Sequence, residues 1–409
     1  MTTTINNEQK KLNVPNLRFP DFEGEWKKCP LGKISTKITK KNKGNTIQNV
    51  LCNSATLGLI PQNDYFDREI ANSNNTDGYY VIEYGDFVYN PRKSVSAPYG
   101  PVNIYTGSIK GIISPLYLCF SVHNILPSFL YYRFKSSVWF PYVYSHGDTG
   151  TRFDRVSIKD DVFFEMPIYM PSSKEQIKIA NLMALLDERI ATQNKIIDKL
   201  QSLIKGLNDT LYAQHGDEVM TSFAELGTSY SGLSGKSAQD FGSGKPFITY
   251  LNVYSNNVIN ENDFQYVAIK DGEKQNIVEY GDVLFTLSSE TPNEVGIGSV
   301  FLGKEKVYLN SFCFGIHITN KEVAFPPYLS YYVSSTAFRK FIYPYAQGST
   351  RFNLCKADFE KASIKLPTLE NQKRIYSILG HINYKIETER QLLALYNSQK
   401  QYQLRQMFI

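Results

Sequence analysis

The residues of this 409-residue sequence that could do catalytic chemistry form no recognisable catalytic motif. Phe325-Pro326-Pro327-Tyr328 has the outline of a [DN]PP[YF] methyl-transfer tetrad, but that tetrad needs an amide or carboxylate first, and Phe325 has neither. The segment is better interpreted as a helix start with proline in its first turn. Gly296-Ile297-Gly298 lacks the third glycine of a dinucleotide-binding loop. Five scattered cysteines and five scattered histidines offer no metal-ligand spacing, so we predict neither an active site nor a metal site.

Basic residues suggest recognition of a polyanion instead. Seven lysines and no acid lie between Trp26 and Asn49, at positions 27, 28, 33, 37, 40, 41 and 43. This strip could face DNA phosphates, with Lys33 and Lys37 as candidate contacts, or it could be a solvated surface; composition leaves both open. Residues 216–366 hold 13 Lys and Arg against 16 Asp and Glu, so charge supports nucleic-acid binding for the first half only.

Two loops of equal length carry further candidates. Residues 90–99 (NPRKSVSAPY) and 286–295 (TLSSETPNEV) follow similar strand patterns but have unlike chemistry. Long cations could contact guanine edges or phosphates, and shorter hydroxyl and amide groups could form other hydrogen bonds. Surface loops that have simply diverged are an equally open interpretation. The candidate DNA contacts in these loops are Arg92, Lys93, Ser288, Ser289 and Asn293.

A third type of candidate is an arginine after a glycine-containing turn. HGDTGTRFD (146–154) and QGSTRFN (347–353) place Arg152 and Arg351 at matching positions. Such a turn can present backbone N–H groups and a guanidinium to a phosphate. A structural salt bridge for each arginine is the alternative.

Two long amphipathic stretches must position these loops. Between Ser172 and Gln214, apolar residues recur at spacings of three and four with one polar slot at Gln193, which predicts a helix about 60 Å long. The pattern recurs in residues 367–409 at an offset of 196, with the slot at Glu389. We predict that the helices pair antiparallel, because one helix cannot bury such a stripe alone. The predicted seam comprises Ile179, Met183, Leu186, Ile190, Ile197, Leu200, Ile375, Leu379, Ile382, Ile386 and Leu393.

The segments outside the helices repeat as well. Tyr84-Gly85-Asp86 matches Tyr280-Gly281-Asp282 at the same offset of 196. A tandem pair predicts pseudo-twofold symmetry, and hence an α+β fold in which two similar mixed α/β globular domains are separated by two long antiparallel helices that form a coiled coil. Two globes on a helical linker without fixed spacing are the alternative. The predicted segments are a disordered lead (1–18), a first domain (19–171), a helix (172–215), a second domain (216–366) and a helix (367–409).

Three features resemble the specificity subunit of type I restriction–modification systems. They are the opening VPNLRFPDFEGEWKKCPLGKI, the paired closings FFEMPIYMPSSKEQIKIANLMALLDERI and FEKASIKLPTLENQKRIYSILGHINYKI, and the repeated T-R-F loop. The likeness runs from about Pro15 to Ile409, and its P-x3-[EN]-Q-x2-I entry to a long helix occurs twice. It implies two target-recognition domains that each read half of a bipartite DNA site. It also implies that the helices set the spacer and dock two methyltransferase subunits.

The resemblance further implies a non-catalytic chain. Methyltransferase subunits acting on adenine N6 and restriction (motor-nuclease) subunits would hold the S-adenosylmethionine, ATP and Mg. Scattered cysteines, no apolar leader and no apolar run of about 18 residues favour a cytoplasmic protein without a membrane partner. A helical scaffold with two protein- or glycan-binding domains is the alternative function, and a single-chain modification enzyme is a third.

Overall fold

The computed structural model describes residues 12–64, 76–149, 154–214 and 216–409. The chain divides into two compact units, Met1–Gln193 with Leu392–Ile409, and Asn194–Gln391. Each unit holds one globular domain and a part of both long helices, α4 (Ser173–Ala213) and α10 (Leu369–Gln406). None of the described helices contains a stretch long and apolar enough to cross a bilayer.

The first unit is built on an antiparallel sheet of four strands in the order β2 (Ser35–Lys37), β9 (Leu118–Val122), β6 (Phe87–Tyr89) and β7 (Val102–Ile104). Alternate side chains of a strand point to opposite faces, and here both faces are covered. Phe87 and Phe120 stack on one face in an aromatic core, and Val88 and Cys119 belong to a smaller cluster on the other. The strands are β1 (Lys27–Pro30), β2 (Ser35–Lys37), β3 (Leu51–Ser54), β4 (Gly58–Pro61), β5 (Tyr80–Ile82), β6 (Phe87–Tyr89), β7 (Val102–Ile104), β8 (Gly111–Ile113), β9 (Leu118–Val122), β10 (Asp148–Thr149), β11 (Val156–Ser157) and β12 (Pro167–Met170). The shorter helices are α1 (Pro127–Lys135), α2 (Phe140–His146) and α3 (Asp160–Phe164).

The second unit repeats this sheet in the order β14 (Gly227–Ser231), β21 (Cys313–Ile318), β17 (Val283–Thr286) and β19 (Gly298–Val300). Phe285 and Phe314 stack in its larger core, and Leu284 and Cys313 lie in the smaller one behind the sheet. The strands are β13 (Glu218–Thr221), β14 (Gly227–Ser231), β15 (Phe241–Ile248), β16 (Gln265–Val267), β17 (Val283–Thr286), β18 (Ser288–Ser289), β19 (Gly298–Val300), β20 (Tyr308–Leu309), β21 (Cys313–Ile318), β22 (Ala346–Gln347), β23 (Phe352–Leu354) and β24 (Ile364–Pro367). The shorter helices are α5 (Phe223–Leu226), α6 (Tyr250–Ser255), α7 (Pro326–Tyr332), α8 (Thr336–Ile342) and α9 (Lys356–Lys361).

Helix α7 begins with the two prolines of the Phe325-Pro326-Pro327-Tyr328 segment. Its counterpart α1 begins at Pro127 in the same way. Proline is tolerated there because the first N–H groups of a helix have no intrahelical acceptor. The predicted helix start is confirmed in both units.

The two long helices run antiparallel where they meet in the first unit. Arg189 Nε donates to Tyr396 Oη at 2.9 Å, and the earlier Asp187 pairs with the later Lys400. In the second unit, Ile204 of α4 packs against the core that contains Leu379 of α10. The predicted long helices and their pairing are confirmed, and α10 stays helical through its polar end to Gln406.

The predicted seam is the buried stripe of both helices. Gln193 and Glu389, the two polar slots, are themselves buried at 5% and 7% exposed. Seven seam residues are buried, namely Ile179, Met183, Leu186, Ile197, Ile375, Leu379 and Ile386. Four are half-buried, namely Ile190, Leu200, Ile382 and Leu393.

Residues 12–18 of the predicted disordered lead are ordered, so that prediction was wrong for this part; residues 1–11 lie outside the described ranges. Leu17 N donates to Gln406 O at 2.9 Å. The Arg18 guanidinium donates to both oxygens of buried Glu175, each at 2.8 Å. Contacts with distant parts of the chain order the segment, and a polar composition does not reveal them.

The repeated P-x3-[EN]-Q motif is a hydrogen-bonded joint. Gln176 Oε1 accepts from Leu126 N at 2.9 Å, and its Nε2 donates to Pro171 O at 3.0 Å. Gln372 accepts from Phe325 N at 2.8 Å and donates to Pro367 O at 2.8 Å. Each glutamine therefore joins the start of a long helix to the residue that precedes a proline-led helix.

Lys135 is a half-buried cation beside the helix pair of the first unit. Its ammonium donates to Asn103 Oδ1 at 2.6 Å and lies 5.0 Å from the centre of the Tyr131 ring. Burial, followed by the charge of Lys400, lowers the pKa of Lys135 from 10.5 to about 8. Folding therefore disfavours the charged form of this side chain.

This shifted pKa predicts a pH dependence of stability. Between pH 8 and 10.5 the unfolded chain keeps a proton at Lys135 that the folded chain has lost, so folding becomes more favourable as the pH rises. We expect the wild type to gain up to about 3 kcal/mol over that range relative to a Lys135→Met variant. Chemical denaturation at several pH values measures this difference. A Lys174→Met variant, which changes an exposed lysine, should track the wild type, and parallel curves for Lys135→Met would contradict the prediction.

Candidate nucleic-acid interface

In the first unit, the loop that carries Arg92 and Lys93 lies against the residues that follow the T-R-F loop. Lys93 N donates to Asp154 O at 2.8 Å, and Val156 N donates to Pro91 O at 2.9 Å. Arg92 Nε is 3.6 Å from Asp154 Oδ2. The structure thus places Arg92 and Lys93 at one edge of the sheet, beside residues 154–156, which are distant in the chain.

The second unit builds the same edge. Ser288 and Ser289 form β18, which pairs antiparallel with Asn353 and Phe352 of β23. Arg351 immediately precedes that strand and is exposed. The guanidinium of Arg351 lies 5.9 Å over the ring of Phe312, which is itself 56% exposed, a cation–π arrangement at the rim.

The candidates differ in how far they are presented to solvent. The side chain of Arg92 is 66% exposed although it lies near the carboxylate of Asp154. Lys93 is half-buried. Lys33 is exposed, whereas exposed Lys37 pairs with Asp160 at 2.5 Å. Arg152 lies outside the described residues.

The serines of the second unit are not presented to solvent. Ser288 and Ser289 are 6% and 9% exposed, and the Ser289 hydroxyl donates to Glu294 Oε2 at 3.1 Å. Hydrogen bonds from Tyr254 first, then from Thr291 and Ser289, hold the pKa of Glu294 below its ordinary value. Asn293, next to this carboxylate, is exposed. The accessible candidates of this edge are therefore Asn293 and Arg351.

A recess of about 430 Å³ opens beside the two cations of the first unit. Its walls include Asn53, Tyr79 and Tyr117 as well as Arg92 and Lys93. Asn53 is buried, and its side-chain amide is held by Val88 O at 2.9 Å. Sequence reasoning missed these three polar wall residues because they come from separate strands and loops and form no local motif.

The described residues contain no group of three or more His, Cys, Asp or Glu that could hold a metal ion. All five cysteines are free thiols. Besides the carboxylates of Asp154 and Glu294, the polar groups at the two edges are cations, amides and hydroxyls, which hydrogen-bond to phosphates and base edges.

Comparison with known proteins agrees with this chemistry. Residues 231–395 match the family described as type I restriction modification DNA specificity domain. A putative type I restriction enzyme MjaX specificity subunit of Methanocaldococcus jannaschii is 25% identical over 342 residues, which cover 76% of this chain and 74% of that protein. The matched family and this relative are both described by specificity in type I restriction systems.

One solved structure shares the fold. A chain from a structure of complex assembly and conformational transition in the type I R-M system aligns with TM-score 0.59 and 15% identity, covering 93% of this chain and 96% of that one. The HsdS subunit of Thermoanaerobacter tengcongensis aligns with TM-score 0.49 and 16% identity, over 94% and 96%. The family match over residues 231–395 and the 25% identical relative bear out the resemblance of this chain to the specificity subunits of type I restriction–modification systems.

Proposed function

We propose that this chain is the sequence-reading subunit of a type I restriction–modification complex and that each unit reads one half of a bipartite DNA site. The observation that carries the proposal is a recognition edge built twice on one scaffold with unlike side chains. Arg92 and Lys93 line the first edge, and Asn293 and Arg351 are the accessible groups of the second. A common frame with different contact residues suits two readers of two different sequences.

Partner subunits would supply the chemistry. Large apolar side chains on the long helices are exposed, which suits docking of two methyltransferase subunits. They are Leu185 (63%) and Leu395 (65%) in the first unit, and Ile196 (38%) and Leu203 (51%) in the second. In this proposal those subunits bind S-adenosylmethionine and flip the adenine, while restriction subunits use ATP and Mg. The complex would work in the cytoplasm, where its DNA lies.

The scaffold alternative, with domains that bind proteins or glycans, has no support in the comparisons. A single-chain modification enzyme would need the methyl-transfer tetrad, in which Phe325 stands at the required amide or carboxylate position. Recognition without catalysis therefore remains the function that the residues support best.

Methylome sequencing of a host with and without this gene tests the proposal. We expect a bipartite adenine-methylated motif that disappears with the gene. Replacing residues 19–171 by the matching domain of another such protein should alter one half of the motif and leave the other unchanged. Persistence of the same motif without the gene, or a change in both halves after the swap, would contradict the proposal.

A point substitution gives a finer prediction. An Arg92→Ala variant should lose about 1 to 3 kcal/mol of discrimination in the first half-site, because a bidentate arginine–base contact contributes that much. Methylation rates on duplexes degenerate at one half-site at a time measure it. Lys174→Ala removes an exposed cation at the start of the long helix of the same unit and serves as the control. If Arg92→Ala instead reduced base discrimination at the second half-site, Arg92 would not read the first half-site and the prediction would be wrong.

A further inference from the structure

A second recess in the first unit is lined by lysines. It has a volume of about 670 Å³, and its walls include Lys40, Lys41, Lys43 and Lys110. The first three belong to the seven-lysine strip and are exposed. None of the three was among the residues that sequence reasoning selected from that strip.

The turn that carries these lysines is fixed by buried hydrogen bonds. Asn42, only 1% exposed, accepts from Ile47 N at 3.0 Å and donates to Ile47 O at 3.0 Å. Gly44 adopts a φ of +74°, and its N–H donates to Asp77 Oδ1 at 2.7 Å. A positive φ favours glycine, so Gly44 suits this conformation. Gly44 and the hydrogen-bonded Asn42 together fix the turn around Lys43. The lysine stems therefore project from a rigid base.

The charges of this recess are only partly neutralised. Lys110 pairs with Glu83 at 2.7 Å, and that hydrogen bond is the main reason why the pKa of Glu83 lies below its ordinary value. Asp77 accepts the backbone N–H of Gly44. Glu83 also interacts electrostatically with Lys40. Within the described part of the chain, no carboxylate lies within 4.0 Å of the ammonium groups of Lys40, Lys41 or Lys43, so their positive charge is at most partly neutralised there.

The matching segment of the second unit has no such set. Residues 228–244 contain a single lysine, Lys236. Its side chain is 6% exposed, pairs with Glu273 at 2.5 Å and donates to Ala268 O at 2.6 Å. The hydrogen bond from Lys236, with others, lowers the pKa of Glu273 to about 2. The second unit therefore uses Lys236, the lysine of this segment, in internal contacts.

We infer that the first unit carries a DNA-phosphate anchor, formed by Lys40, Lys41 and Lys43, that the second unit lacks. The inference rests on the proposed function and adds that the two units contribute unequally to DNA affinity. Neutralising phosphates releases counterions, so the unit in which three exposed lysines share one recess supplies most of the salt-dependent affinity. The second unit, whose net charge is negative, depends more on hydrogen bonds at its edge. A phosphodiester backbone is the ligand because lysines on a fixed turn offer charge without base selectivity.

Salt titrations of the full chain, assembled with its methyltransferase subunits, test the anchor. The probes are a duplex that carries the methylated motif and a duplex of scrambled sequence. For a Lys40→Gln/Lys41→Gln/Lys43→Gln variant we expect the slope of log K against log salt to become shallower by about 2 to 3, equally on both duplexes. The methylated motif should stay the same.

The matched control removes three exposed lysines from the second unit, Lys274→Gln/Lys304→Gln/Lys306→Gln, and should change the slope by less than about 1. Lys306 is the counterpart of Lys110 at the offset of 196. The corresponding triple Lys→Arg variant of the anchor should keep the wild-type slope, which shows that charge and not folding is measured.

Equal slope changes in the two triple Gln variants, or none in the anchor variant, would overturn the anchor while the proposed function stands. Loss of methyltransferase assembly with an unchanged slope would also overturn it, because the lysines would then bind protein. A wild-type complex that does not distinguish its motif from the scrambled duplex would instead overturn the proposed function, and the anchor with it.

Discussion

A Glu175→Ala variant should lose about 3 to 5 kcal/mol of stability in the first unit, the range for breaking a buried ion pair by removing one partner. Glu175 is 1% exposed and Arg18 is 14% exposed. The carboxylate accepts two bonds from Arg18 and one from Trp26 Nε1 at 3.3 Å. Its removal leaves a half-buried guanidinium with only the carbonyls of Glu23 and Gly24 as acceptors, and a buried indole N–H without the carboxylate. Urea denaturation followed by tryptophan fluorescence measures the loss, because Trp26 lies at the site.

Two further variants separate this cause from a general weakening of the helix. Glu188→Ala, at an exposed position of the same helix, should cost less than about 1 kcal/mol. An Arg18→Leu/Glu175→Leu double variant should be more stable than Glu175→Ala, because no unpaired charge remains. A double variant as unstable as the single one would show that the ion pair is not the source of the loss.

A Gln372→Leu variant should destabilise the second unit by about 3 to 5 kcal/mol, since each buried polar group left without a partner costs about 1 to 3 kcal/mol. Gln372 is fully buried. It accepts a hydrogen bond from Phe325 N and donates to Val323 O at 2.7 Å and to Pro367 O. Gln176→Leu in the first unit breaks two such bonds and should cost less. Leucine has nearly the volume of glutamine, so the loss reports the hydrogen bonds rather than a cavity.

Thermal denaturation of both variants, together with exposed Gln399→Leu as a control, measures this ranking. We expect Gln399→Leu to behave as the wild type. If Gln176→Leu were the more destabilising of the two, the number of bonds at the joint would not govern its strength.

Periodicity carries enough information to predict the long helices and the repeat. Apolar residues such as Ile179 and Ile375 recur with a helical period at a constant offset, and burial follows that period because a helix has one face toward its partner. The proline-led helix start at Pro326 is equally local, since it depends only on the missing N–H groups of a first turn. The long helices and the proline-led helix start can therefore be predicted without knowledge of contacts between distant parts of the chain.

The composition of the two recognition edges was much less predictable. Arg92 and Asp154 meet because two loops converge on one sheet edge, and no local pattern records that convergence. Ser288 was selected for its type, yet strand pairing buries it. Lys37 was selected over Lys41, although a carboxylate from a distant helix neutralises Lys37 in the folded chain. Residue type predicts what a side chain can bind, and tertiary contacts decide whether it is available.

The glutamine joints affect how such a protein can change over generations. Each joint satisfies backbone groups only: the N–H before a proline-led helix and the carbonyl at the entrance to a long one. Main-chain groups are the same in every sequence. An exchanged domain that ends in the same backbone conformation can therefore form the same hydrogen bonds to the glutamine. Recombination at Gln176 or Gln372 could then install a foreign reader without any compensating change in the interior that receives it.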